Sequence, residues 1–225
     1  MKKILQIAAV AAAIFSGPVS AHYLWIEAAA DGLSAKIFFG EYQEDVREIK
    51  GGRLDEMIRR ETFVTGTRGG KESVEAQTNQ DHFLVSATSP VSGFLTQKLD
   101  YEVKDWRKSG IGIVKPMFYA RAWVPGSALP KPELKLDITP ADKEGKSVLV
   151  SFNGQPLAKA KVNVHAPNLW SRELETNQDG TLAIPTPWSG SYVIEVIYLE
   201  KAAGSYQSIE YEALRHRSTF TVVAK

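Results

Sequence analysis

The chain of 225 residues contains no cysteine. This absence excludes cysteine-ligated zinc sites, iron–sulfur clusters and thiol chemistry. An excess of charge of one sign is also lacking, because 27 Lys and Arg residues stand against 26 Asp and Glu residues. Charge therefore gives no indication of nucleic acid as a partner. Hydrophobic residues make up 44% of the chain, which is typical of a folded globular protein and not of a disordered one.

Residues 1–21 have the pattern of a secretory signal peptide. Lys2 and Lys3 precede an apolar run, and small residues follow it up to Ala21, which gives the charged, apolar and cleavage regions in order. The apolar run of about 12 residues is shorter than the roughly 20 residues that a membrane-spanning helix needs. We expect cleavage after Ala21, export to the periplasm and a mature protein that does not itself span the membrane.

Cleavage after Ala21 would make His22 the first residue of the mature protein. An α-amine and an imidazole on one residue can close a chelate ring on a metal ion, and this nitrogen pair suits copper, nickel or cobalt better than calcium or magnesium. Only four histidines occur in the chain, so one at this position is suggestive, although a residue that merely follows the cleavage site would look the same. The sequence predicts a transition-metal site at His22.

Other residues are candidates to complete that site. We predict two further metal ligands, His216 and His82. His216 precedes the last predicted strand, and His82 precedes an earlier one. His165 falls on the polar side of an alternating strand, which predicts a surface residue. Glu27 and Glu41 can each supply an oxygen ligand, or can be ordinary solvated side chains.

The pattern along the mature chain predicts an all-β protein. Short aromatic or β-branched runs recur between turn residues such as Asn153-Gly154 and Asp179-Gly180. A proline-rich break at 124–132 divides the chain into two antiparallel β-sandwich domains, an N-terminal domain over 22–124 and an immunoglobulin- or prealbumin-like domain over 133–225. A short helix is expected within 45–60 and a flexible loop at 65–71.

Several segments resemble a bacterial family of exported proteins that carry a domain of unknown function and are identified as the periplasmic component of cobalt or nickel uptake systems. The resemblance covers nearly all of the mature chain. It is carried by AHYLWIE, AKIFFGEYQEDVREIKGGRLDEM and PMFYARAWV in the first half, and by LDITP, FNGQPLAKAKVNVHAP, TNQDGTLAIPTPWSGSYVIEV and RHRSTFTVV in the second. The resemblance implies an exported protein with a metal-associated role, and hence an inner-membrane metal transporter as its partner.

No catalytic motif accompanies these features. The sequence has neither a nucleophile-elbow pattern nor a His-Glu-x-x-His zinc helix. We therefore predict a periplasmic binding protein for a divalent transition metal (nickel, cobalt or copper) that is not an enzyme. One alternative is a carbohydrate-binding or adhesion sandwich, for which five tryptophans offer stacking surfaces. The other is a copper-dependent oxygenase, which needs a second histidine to complete its copper site.

Overall fold

The structure is a computed structural model that describes residues 22–67 and 69–224, so the predicted signal peptide lies outside the described residues. Within them the chain forms β-strands and three short 3-10 helices, with no α-helix. The predicted all-β class is confirmed. No helix in the described ranges is long and apolar enough to cross a membrane.

The strands alternate with short turns along the whole described chain. Those of the N-terminal half are β1 (Tyr23–Ala28), β2 (Ser34–Glu41), β3 (Val46–Arg47), β4 (Glu61–Gly66), β5 (Lys71–Ser73), β6 (Ala76–Thr78), β7 (Phe83–Ser86), β8 (Val91–Lys98), β9 (Lys104–Trp106) and β10 (Gly112–Trp123). Those of the C-terminal half are β11 (Leu136–Pro140), β12 (Ser147–Phe152), β13 (Gln155–Pro156), β14 (Lys161–His165), β15 (Ser171–Glu175), β16 (Thr181–Ala183), β17 (Gly190–Glu200), β18 (Gly204–Tyr206), β19 (Ile209–Tyr211) and β20 (Ala213–Ala224). The 3-10 helices are Tyr42–Glu44, Arg53–Met57 and Arg107–Ser109.

A nine-stranded sheet runs through both halves of the chain. Its strand order is β15-β14-β17-β20-β10-β8-β4-β5, with β9 also paired to β10. The central pair, β10 and β20, is parallel, from Val114 opposite Ala213 to Ala122 opposite Thr221. Because β10 belongs to 22–124 and β20 to 133–225, the two predicted domains share this sheet. Their independence as domains stays a prediction.

Two smaller sheets pack on opposite faces of the nine-stranded sheet. The five-stranded sheet, β1-β2-β7-β6 with β3 beside β2, meets one face through a cluster that includes Phe39 and Phe118. The four-stranded sheet, β11-β12-β13 with β16 beside β12, meets the other face through a cluster that includes Ile138 and Phe220. Alternation along the central strand β10 therefore sends successive side chains into different cores, as with Phe118 and Tyr119.

β1 is buried on both of its faces. Leu24 and Ile26 belong to the core between the five- and nine-stranded sheets, whereas Tyr23 and Trp25 pack with Val193 of β17. The hydroxyl of Thr219 in β20 donates to the Leu24 carbonyl at 2.7 Å. The start of the described chain is thus fixed against the nine-stranded sheet.

Burial by β1 overturns the prediction for His165. The alternation of β14 is present, but its polar face is covered because the Tyr23 ring stacks on the His165 ring with centroids 6.0 Å apart. His165 is only 5% exposed, so the prediction of a surface residue is wrong. Its two ring nitrogens contact Ser171 and Glu195.

The segments predicted as a helix and a loop take more compact forms. Within 45–60 the chain makes a 3-10 helix that buries Leu54 and Met57, while Ile58 is 52% exposed. The segment 65–71 connects β4 to β5, which pair as an antiparallel hairpin. The pairing of β3 with β2 places the start of the charged segment 45–60 beside the end of β2 and the beginning of β1.

Candidate metal centre

His22 lies directly before β1, beside the end of β2. The antiparallel register pairs Tyr23 with Gly40, so His22 is adjacent to Glu41, the residue that follows Gly40. The Nδ1 atom of His22 is 2.9 Å from a carboxylate oxygen of Glu41. The His22 side chain is 12% exposed and the Glu41 side chain 16%, which places this contact at the edge of the protein and partly out of water.

A second carboxylate reaches the other side of the same ring. After β2 the 3-10 helix Tyr42–Glu44 and the left-handed residue Asp45 (φ 53°) reverse the chain, and β3 pairs back onto β2. The backbone N–H of Glu48 then donates to the Phe39 carbonyl at 2.8 Å. This hydrogen bond fixes Glu48 so that its carboxylate contacts Nε2 of His22.

A buried charged cluster holds the backbone of His22 in place. The Arg217 guanidinium donates to the His22 carbonyl at 3.2 Å and pairs with the Glu195 carboxylate. His165 also lies 3.2 Å from Glu195. Burial alone would raise the pKa of Glu195, but the adjacent Arg217 and the hydrogen bond with His165 outweigh it and hold that pKa below its usual range. An ionised Glu195 therefore keeps Arg217 beneath His22.

The carboxylates of Glu41 and Glu48 limit which nitrogens of the His22 ring can carry a proton or bind a metal ion. A neutral imidazole has one N–H donor, so it can donate to both Glu41 and Glu48 only as the doubly protonated cation. A metal ion at Nδ1 can take the place of one of these protons, because metal ligands bind in their deprotonated form. The Nε2–H would still donate to Glu48, which is the usual arrangement of a carboxylate behind a metal-bound histidine.

His216 is far from this arrangement in the fold. It is fully buried, with Nδ1 3.0 Å from the Tyr119 hydroxyl and Nε2 2.9 Å from the Glu200 carboxylate. Burial lowers the pKa of His216 despite the hydrogen bond with Glu200. His216 points to the same side of β20 as Phe220, whereas Arg217 points to the side that carries β1. The nine-stranded sheet therefore separates His216 from His22.

His82 is also on a different surface. Its ring contacts Asp81 at 2.6 Å and Asn79 at 3.1 Å, and it packs 5.6 Å from the Phe38 ring. The His22 ring packs against Phe39, the next residue of β2. Since successive residues of a strand point to opposite faces, the five-stranded sheet lies between the two histidines. The structure does not bring His82 to His22.

Of the two glutamates considered from the sequence, one reaches His22. Glu41 contacts the ring, but Glu27 accepts a hydrogen bond from the Trp25 indole at 3.1 Å on the opposite face of β1. Glu48 was not predicted, because no residue spacing indicates that the chain turns back between Glu41 and Glu48. Only the pairing of β3 with β2 reveals it.

Across the ranges 22–67 and 69–224, no three His, Asp or Glu side chains converge in a way that could hold a metal ion. His22 and Glu41 present two donors on one side of the ring, and Glu48 lies on the other. In a chain that begins at His22, the α-amine would add a third donor beside Nδ1 and Glu41. No protein-family model, curated protein or solved structure matches this chain.

Proposed function

We propose that this chain is an exported binding protein for a divalent transition metal, which it holds at its mature N-terminus without a catalytic step. The observation that carries the proposal is the 2.9 Å contact between Glu41 and Nδ1 of His22. Nδ1 is the ring nitrogen that can close a six-membered chelate with the α-amine of the same residue. Glu41 would then supply the third ligand to that chelate.

The length of this contact suits two ligands of one ion. Nitrogen and oxygen ligands lie about 2.1 Å from a bound transition metal, so two of them at right angles are about 3.0 Å apart. The measured separation is 2.9 Å. A metal ion beside Nδ1 and Glu41 would thus need little rearrangement of either side chain.

The same donors indicate the class of metal. Two nitrogens and one carboxylate favour copper, nickel or cobalt over calcium and magnesium, which prefer oxygen ligands. The affinity order of divalent metals favours copper(II) in vitro, whereas the resemblance to cobalt and nickel uptake proteins favours nickel or cobalt as the physiological cargo. In that role the protein would work in the periplasm and deliver its metal to an inner-membrane transporter.

Calorimetric titration with Ni²⁺, Co²⁺ and Cu²⁺ tests the proposal on protein whose first residue is His22. We expect His22→Ala and Glu41→Gln each to weaken binding at least tenfold, and Glu48→Gln to weaken it roughly 10- to 100-fold through loss of the carboxylate behind the ring. Glu44→Gln is the matched control, because Glu44 is exposed in the turn after β2. Equal metal affinity in the wild type and in all four variants would mean that Glu41 and Glu48 form only ion pairs with His22.

A second candidate function rests on a different surface. Trp170 and Trp188 are 37% and 41% exposed, and their rings lie 5.7 Å apart. An exposed tryptophan pair is a stacking surface of the kind that carbohydrate-binding proteins present. Electrophoresis in gels that contain soluble polysaccharide tests this alternative. Slower migration of the wild-type protein and of His22→Ala, but not of Trp188→Ala, would favour carbohydrate binding. Copper-dependent peroxide formation would instead favour the oxygenase.

A further inference from the structure

A cavity of about 290 Å³ opens beside the His22 ring. Its walls include the aromatic side chains of Tyr101 and Trp106, and three cationic side chains reach it, Arg53, Lys104 and Arg215. This volume corresponds to roughly ten water molecules at about 30 Å³ each. The cavity therefore has room for a small organic molecule of about that many non-hydrogen atoms.

Two of the three cations already have carboxylate partners. Arg53 Nε lies 3.4 Å from Glu56, whose carboxylate also accepts a hydrogen bond from the Tyr101 hydroxyl. Lys104 forms an ion pair with Glu102. Glu56 itself lines the cavity, so the charge of Arg53 is compensated there and that of Lys104 by Glu102, and neither cation by itself calls for an anionic ligand.

Arg215 differs from both. It takes part in none of the ion pairs found within 22–67 and 69–224. Its guanidinium instead lies over the Trp106 ring, 5.3 Å from the centroid. Burial, followed by the nearby Arg217, lowers the pKa of Arg215 to about 10. The Glu195 carboxylate attracts this charge and offsets part of the effect, but it forms no ion pair with Arg215 among the described residues. The Arg215 guanidinium therefore remains able to pair directly with an anion at the cavity wall.

We propose that this cavity binds a small aromatic carboxylate, with the carboxylate on the Arg215 guanidinium and the ring against the aromatic walls. A guanidinium binds a carboxylate through two parallel hydrogen bonds, which the partly buried Arg215 can offer at the cavity wall. An aromatic ring suits walls formed by Tyr101 and Trp106 because it buries apolar area against them, while the cations that lie over these two rings, Lys104 and Arg215, stay close to its carboxylate. This anion site goes beyond the proposed metal site and does not depend on it.

Benzoate is the probe. The protein is first freed of metal on a chelating resin, because soluble chelators carry carboxylates that could occupy the same cavity. Binding is measured by calorimetry for benzoate and for benzyl alcohol, its neutral analogue. We expect benzoate to bind, Arg215→Met to weaken it at least tenfold through loss of a charge-assisted hydrogen bond, and benzyl alcohol to bind much more weakly. Arg172→Met is the matched control, because Arg172 is exposed in β15.

Lys104→Met provides a second variant at the mouth of the cavity, where the Lys104 side chain is 30% exposed. A smaller loss of benzoate affinity in this variant supports the site even if Arg215→Met fails to fold. Absence of benzoate binding, equal affinity in wild type and Arg215→Met, or equal affinity for benzoate and benzyl alcohol would each overturn the proposal. Benzoate binding that persists without metal while nickel binding is absent would refute the metal site alone.

Discussion

Replacing Glu195 with Gln should destabilise the protein by about 3–5 kcal/mol, the usual effect of removing one partner from a buried ion pair. Glu195 is 2% exposed, and the two groups that it pairs with, Arg217 and His165, are 4% and 5% exposed. Water cannot replace the lost carboxylate at such sites. The Arg217 guanidinium would remain beneath the Tyr23 ring, 4.6 Å from its centroid, with its charge uncompensated.

Urea unfolding, followed by circular dichroism at pH 7, measures this loss. The double variant Glu195→Gln/Arg217→Met is the informative companion, because it removes the unpaired charge that the single variant leaves behind. We expect the double variant to recover part of the free energy of unfolding. A loss below about 1 kcal/mol in Glu195→Gln would mean instead that water reaches the cluster and that Glu195 and Arg217 behave as a surface ion pair.

The pH dependence of the same cluster has a definite sign. The pKa of Glu195 is held below its ordinary value in the folded protein, so its contribution to stability is present above the pKa of an unfolded glutamate. That contribution should be lost as the pH falls through the lowered pKa of the folded state. Glu195→Gln should therefore flatten the acid side of a stability curve measured by urea unfolding between pH 7 and pH 3.

Further predictions concern other parts of the molecule. Arg215→Met should raise the free energy of unfolding by about 1–3 kcal/mol, because burial lowers the pKa of Arg215 to about 10; a loss of stability would show that Arg215 has a structural role. Burial lowers the pKa of His216, so wild-type stability should fall as the pH drops below the ordinary histidine pKa, and His216→Phe should reduce that slope in urea unfolding. Proteolytic cleavage within 124–132 should leave both pieces associated on native gels through the β10–β20 ladder, whereas separation without denaturant would show that the shared sheet contributes little.

Local pattern predicted much of the strand content but not its partners. The runs that begin β1, β2, β12, β14 and β17 are visible as aromatic or β-branched segments between turns. The parallel pairing of β10 with β20 joins residues about one hundred positions apart, and no local signal specifies such a contact. This pairing is why the predicted boundary between the halves does not interrupt the central sheet.

The residues of the candidate site likewise divide into those that the sequence indicates and those that only the fold brings together. His22 could be predicted because the signal-peptide pattern is local, and Glu41 was considered as an oxygen ligand. Glu48 depends on the reversal of the chain at Asp45, and the burial of His165 depends on Tyr23 from a distant strand. Side chains that are positioned by tertiary packing were therefore missed or misplaced, whereas the prediction of His22 rests on a local pattern alone and stays a prediction.

The nickel affinity of two forms of the protein, measured side by side, tests whether the α-amine of His22 binds the metal. One form begins at His22, and the other carries a four-residue Gly-Ser-Gly-Ser extension that converts the α-amine of His22 into an amide and leaves every side chain in place. Amides are poor metal ligands near neutral pH, so we expect at least a tenfold weaker affinity in the extended form. Equal affinity in the two forms would contradict this expectation, because the α-amine would then have no part in binding.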